Sequence, residues 1–154
     1  MNSGAIANLV QATLPMMDAA ALDRVRALEV QIKQHQEVSL TTKHLLHGGV
    51  YARTIMIPAG TVIAGALIKI ATTLIVHGDC IVFIGDDTHE LKGYNVLAGS
   101  AGRKQAFMAI TDTNMTMLFA TDCKTIEACE ENFTDEAELL ISRHCPNEIH
   151  ITGE

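Results

Sequence analysis

The stretch that most limits what this chain can fold into is His44–Asp79, HLLHGGVYARTIMIPAGTVIAGALIKIATTLIVHGD, in which short β-forming runs are cut by glycines and one proline. Val50–Ile57 is rich in Val, Ile, Tyr and Thr, side chains that suit a pleated, half-buried surface, and predicts a strand. Pro58-Ala59-Gly60 predicts a turn, because proline presets one backbone angle and glycine tolerates conformations that other residues avoid. Thr61–Ile70 and Ala71–Val76 predict two more strands, and His77-Gly78-Asp79 a tight corner between antiparallel neighbours. The rhythm continues with Cys80–Ile84, a hairpin corner at Gly85-Asp86-Asp87, Thr88–Leu91, and a short piece from Gly93-Tyr94. A loop made permissive by two glycines follows at 99–102. Gln105–Thr111 and Met115–Thr121 then read as paired strands around Asp112-Thr113-Asn114. Strands of this length at such spacing predict a mainly β fold, a barrel or a sandwich.

The flanks differ. Met16–Gln36 predicts a helix in which Leu22, Val25, Leu28 or Glu29, and Ile32 form an apolar stripe. Asp18 and Asp23 suit the positive end of its dipole, Lys33 and His35 the negative end. Such a helix must dock on its own sheet or on a neighbouring subunit. Met1–Gln11 is weakly apolar and reads as a short helix or an arm. Beyond Asp122 the composition shifts: Thr125–Glu131 and Thr134–Arg143 look helical, and seven acidic residues face one lysine between Asp122 and Glu138. A charge run of this kind predicts a solvated face, with an acidic contact for a basic partner as the alternative. The tail from His144 carries no clear pattern. The chain thus divides into an arm and helix (1–43), a β-domain (44–122) and a helical, acidic segment (123–154) that packs on it.

Composition narrows the function classes. Hydrophobic residues make up 48% of the 154, but aromatics only 4%, so the core must be built from aliphatic side chains and Met. Charged residues are 19%, below the usual quarter, which predicts that some surface is covered, most simply by copies of the same chain. The net charge of −7 and the scattered basic residues, with Arg103-Lys104 the one adjacent pair, argue against nucleic acid and anionic membrane as partners. The uncharged stretch Thr54–Ile68 is broken by Pro58, Gly60 and Gly65 and is shorter than the ~20 residues a membrane helix needs. The start of the chain lacks a basic segment followed by an apolar core, so export by a signal peptide is not expected. Cys80, Cys123, Cys129 and Cys145 form no CxxC pair and no zinc-finger spacing, and predict free thiols.

From Thr42 to Glu131 the sequence resembles small cupin-type proteins of bacteriophage and prophage genomes. The resemblance rests on TKHLLHGGVYARTIMIPAGT, then Gly78-Asp79, GYNVLAGSAGRKQAFMAITDT, FATD and the Glu-rich IEACEEN, in that order. It implies a cupin-like jelly-roll barrel, a homo-oligomer, and capsid or other virion proteins as partners, in a virion or the host cytoplasm. Cupins that do chemistry hold a metal inside the barrel with histidines. The resemblance places the first of these at Ile68, the second at Ala71 or Thr72, and the late one at Phe119. Those side chains offer no ring nitrogen to a transition metal, so no cofactor is expected. Strand alternation agrees: if Phe119 faces inward, so do Met117 and Met115, and Ile68 shares a face with Ile70.

Few candidates for chemistry remain. Tyr51 and Arg53 share a strand face, and with Lys69 they would set a phenol and two cations at the barrel mouth, suited to an anionic ligand; otherwise they line the outer sheet or an interface. His44 and His47 are three apart and form the remaining metal candidate, without a third donor nearby. His77 and His89 read as structural, Asp86-Asp87 as turn residues. Arg103-Lys104 follows a glycine loop but lacks the spacing of a phosphate-binding loop. The leading expectation is a non-catalytic, metal-free virion structural or decoration subunit. The alternatives are an enzyme or small-molecule binder using Tyr51, Arg53 and Lys69, and a metal cupin with displaced ligands.

Overall fold

In the computed structural model, which describes residues 13–35, 38–84 and 87–153, two β-sheets face each other across a shared core. The larger has seven strands in the order β1 (Thr13–Leu14), β8 (Tyr94–Gly99), β5 (Thr72–His77), β10 (Thr113–Ala120), β3 (Val50–Ile57), β2 (Thr42–His47), β11 (Asn147–Ile151). The smaller has β4 (Val62–Ala64), β9 (Ala106–Ala109), β6 (Cys80–Ile84) and β7 (Asp87–Leu91). From β3 to β6 and again from β7 to β10 the chain steps from one sheet to the other at each strand, with β6 and β7 a hairpin in the small sheet, which makes a double-stranded β-helix, a cupin-like jelly-roll barrel. The inward row across the large sheet runs His44, Arg53, Met117, Leu74, Leu97; the next runs Leu46, Tyr51, Phe119. Met115, Met117 and Phe119 are all buried, as period-two alternation predicts.

Strand positions are close to expectation, but several pairings are not. Gly78-Asp79 is no hairpin corner: β5 lies in the large sheet and β6 in the small one, so the turn carries the chain between them. Gly78 has φ +139°, and a Cβ there would sit 2.6 Å from Thr113 Oγ1 and 2.7 Å from the Asp112 carbonyl. Likewise β9 and β10 flank the link at 110–112 without pairing, because the chain changes sheets there too. The expected strand over Thr61–Ile70 shrinks to β4. Beyond it the backbone is shared: Gly65 and Ile68 N–H donate to the Gln105 and Arg103 carbonyls, while Leu67 N–H donates to Glu136 Oε1 and Lys69 N–H to the Phe133 carbonyl, so only an isolated bridge, Ile68 with Arg103, remains of the expected strand. The β6–β7 ladder runs to Ile84 opposite Asp87; Gly85 and Asp86, the corner itself, lie outside the described residues.

Helix α1 spans Ala19–Lys33, shorter than predicted, because Asp18 stands at its N-cap and accepts from Ala21 N–H at 2.8 Å. It docks on its own chain, with Val25 buried against Ala64, Phe83 and Ala106 of the small sheet. The expected arm at Met1–Gln11 lies outside the described residues. Helix α2 is Ile126–Phe133, capped by Thr125. The second predicted helix is replaced by two 3-10 turns, Ala137–Leu139 and Ile141–Arg143. The tail without a pattern forms β11, which runs parallel to β2. Its five side chains are all exposed, so it lacks the alternation that would mark a strand in the sequence. Among the described residues no helix is long and apolar enough to cross a membrane.

Gly78→Ala is expected to destabilise the protein by more than the ~1–3 kcal/mol of a strained backbone, since the new methyl also meets a backbone carbonyl. Chemical denaturation of the purified variant measures this.

Candidate functional site

The polar groups of the barrel interior converge where β2 and β3 pass under α2 and the C-terminal turns. Tyr51 is fully buried on β3, and its hydroxyl lies 2.7 Å from His44 Nδ1 on β2. His44 Nε2 lies 2.7 Å from Asn147 Oδ1, while the Asn147 amide donates to the Ser142 and Cys145 carbonyls. That arrangement fixes the proton on Nε2, leaving Nδ1 to accept from Tyr51. Arg53, two residues on and therefore on the same face, donates to Tyr51 Oη at 3.4 Å, to Glu130 Oε2 at 3.0 Å and to Ser142 Oγ at 2.9 Å. Its guanidinium also sits 5.5 Å from the centre of the Phe133 ring. Glu130 further accepts from Ser142 Oγ and, at 2.7 Å, from Arg143 Nε.

Burial and charge set the protonation states. Burial pushes the Tyr51 hydroxyl up to about 12, and burial also lowers His44, which stays neutral. For Glu130 burial favours the neutral acid, but the hydrogen bonds from Ser142, Arg143 and Arg53 outweigh it and hold the carboxyl below its usual range. The network is therefore Tyr–OH, neutral imidazole, guanidinium and carboxylate, with each group engaged by another. It holds the C-terminal segment against the barrel and presents no unpaired nucleophile or base.

Two further cations lie inside. Lys104 is 1% exposed; its Nζ donates to the Gly65 carbonyl at 2.8 Å and meets Glu29 at 3.2 Å and Glu136 at 3.7 Å. Glu136 also pairs with Arg26 of α1, so this cluster ties helix, barrel and C-terminal segment together. Arg103, 2% exposed, donates to the Ser100 carbonyl at 2.8 Å and to Thr72 Oγ1 at 2.7 Å. Among the described residues no carboxylate pairs with it, and burial pulls it down to about 10. Gly99 makes the room, since a Cβ there would stand 2.4 Å from Arg103 Cζ. Arg103-Lys104 is thus an interior pair, not a surface cradle for phosphate.

Each position expected from the resemblance to carry a metal ligand is accounted for. Phe119 is buried edge-on between Tyr51 and Phe133. Ile68 lines a cavity, Thr72 holds Arg103, and Ala71 is exposed. Of the three mouth residues, Tyr51 and Arg53 meet, but Lys69 points away to an exposed pair with Asp135 at 2.7 Å. His44 and His47 do not converge: His44 is buried, while His47 reaches Thr152 at the surface. His77 stacks edge-on against Tyr94. Among the described residues no group of three or more His, Cys, Asp or Glu is placed to hold a metal. The acidic run is only partly a solvated face, because Glu130 and Glu136 turn inward. Glu130, Ser142, Arg143 and Asn147 were not among the predicted site residues. Glu130 had a signal, since it falls with Ile126, Cys129 and Phe133 on the buried face of α2.

A cavity of about 150 Å³ remains in the lumen, lined by Ile55, Ile68, Leu74, Met115, Met117 and Phe133, among others. Arg53, Lys104, Glu29 and Glu136 reach its edge, two cations against two carboxylates. It lies under the C-terminal turns, and Phe119 does not line it.

No family model matches the chain, and no curated protein does. Among solved structures the chain is similar to a cupin superfamily protein from Desulfitobacterium hafniense at 16% identity and TM-score 0.46, over 57% of this chain and 83% of that one. It is similar to an RmlC-like cupin family protein with a double-stranded β-helix fold from Methanocaldococcus jannaschii at 16% identity and TM-score 0.45, over 56% and 85%. It is also similar to ectoine synthase from P. lautus at 18% identity and TM-score 0.47, over 64% and 76%.

Removing one partner of the interior ion pair leaves the other charge buried. Glu130→Ala is expected to cost about 3–5 kcal/mol, with Arg53→Met/Glu130→Leu losing less than either single change, both read by denaturant unfolding. Acid weakens the fold in two stages. His44 protonates more readily unfolded than folded, so stability declines as pH falls below about 6.5. Glu130 and Glu136, depressed in the folded state, add a steeper loss below about 4.5. Melting curves across pH 3–8 (roughly the range where these carboxylates and imidazoles titrate) check both limbs, and Glu130→Gln flattens the lower one.

Proposed function

We propose that this cupin-like jelly roll is a non-catalytic, metal-free subunit that works by assembly, as a homo-oligomeric structural, decoration or accessory component of a phage virion. One observation carries the reading. The inward polar groups are spent on one another, Arg53 with Glu130 and Lys104 with Glu29 and Glu136, and together they fasten the C-terminal segment over a hydrocarbon lumen. A reacting site needs groups free to move protons or to hold an ion. Of Ala71 and Thr72, at one of which the resemblance implies a ligand, Ala71 is exposed and Thr72 accepts from the guanidinium of Arg103. The phage setting, with a virion or host-cytoplasm location and capsid proteins as partners, rests on the resemblance of Thr42–Glu131 alone.

The lumen cavity favours a second reading, a small-molecule binder without a metal. Its cations are balanced by carboxylates, which suits a neutral apolar molecule better than the anion that Tyr51, Arg53 and Lys69 suggested.

Native mass spectrometry and light scattering of the freshly purified protein test both. The assembly reading expects a multiple of the 16.6 kDa chain with metal well below one per chain. A strict monomer, or stoichiometric zinc, iron or nickel, overturns it, and a retained small molecule at one per chain shifts the assignment to the second reading.

A further inference from the structure

We propose that two copies of this chain pack face to face through the outer surface of the seven-stranded sheet. The inference rests on the assembly reading above and names the surface that would carry it. Side chains alternate along each strand, so the residues beside the buried inward rows point out of the barrel. Along β2, β3, β10, β5 and β8 those outward positions hold one formally charged residue, Lys43, and it is paired with Glu148 of β11 at 3.9 Å. The rest are apolar, hydroxyl, amide or imidazole. Leu45 is 43% exposed, Met56 43%, Val96 52% and Tyr94 63%, with Leu118 and Ile75 half-buried among them. One cross-strand row reads Leu45, Ala52, Leu118, Thr73, Ala98, and the next Thr54, Thr116, Ile75, Val96. Thr54 and Thr116 hydrogen-bond each other at 2.7 Å, which lowers the cost of covering them.

Charge and size select a second copy as the occupant. The chain carries −7, yet this face is neutral, so two copies meeting here keep their acidic excess apart. A basic partner would gain nothing from it. Five strands about 4.8 Å apart and about seven residues long give a footprint of roughly 550 Å² before side-chain relief is counted. Two copies together then cover about 1,100 Å², above the ~1,000 Å² that a biological interface must clear. Apolar side chains are interspersed with hydroxyls across the face, and aligned packing of two twisted sheets about 10 Å apart is an ordinary way to bury such a surface.

Light scattering after size exclusion tests this with the full chain, Val96→Glu, Leu45→Glu, and Val30→Glu on the exposed side of α1 as control. The wild type is expected at a multiple of 16.6 kDa, as is Val30→Glu, while each sheet variant self-associates at least tenfold more weakly and keeps a cooperative melt. An oligomer that survives both sheet variants, or that Val30→Glu disrupts instead, overturns the face and leaves the assembly reading standing. A wild type that is monomeric throughout overturns both. If a sheet variant fails to fold, Ala98→Cys reports the same surface: thiol labelling there speeds up on dilution if the face is covered, and labelling independent of concentration overturns the proposal.

Discussion

Taking Arg53 and Glu130 out of water costs several kcal/mol per ion, and the fold offsets that cost only by drawing four segments to one point. Arg53 comes from β3, Glu130 from α2, Ser142 and Arg143 from a 3-10 turn, and His44 joins through Tyr51 from β2. With α2 displaced, a guanidinium would face Phe133 and the methionines of β10 without a counter-charge. The position of the C-terminal segment, the closure of the lumen and the neutral state of His44 all follow from that constraint.

The interior meets the burial of cations in three ways. Arg53 has a carboxylate of its own, Lys104 shares two, and Arg103 has neutral acceptors from Ser100 and Thr72. Each solution joins a different part of the chain to the barrel. The interior polar chemistry of this barrel is directed at cohesion between its own segments.

Strands and helix starts were legible because their signals are local: β-branched runs, a proline–glycine turn, an aspartate at an N-cap. Pairing was not. Gly78-Asp79 and Asp112 look like hairpin corners in the sequence, yet each hands the chain to the opposite sheet, and no local residue distinguishes a turn within a sheet from a step between sheets. The inward face of β10, with Met115, Met117 and Phe119 buried, could be read in advance from alternation alone. The partner of Arg53 could not be identified, because Glu130 lies in a run where most acids are solvated. Its place on the apolar stripe of α2 was the one hint, and it needed a pairing to become informative. β11 was invisible for a simpler reason: with no buried face of its own, nothing in its side chains demands alternation.

That last strand has a consequence for how the molecule is made. His44 waits for Asn147, 103 residues further along, and β2 has no neighbour on that side until the tail arrives. During synthesis that margin of the sheet therefore stays unpaired until residues 147–151 have left the ribosome. Long-range closure of this kind slows folding and leaves a strand edge open meanwhile.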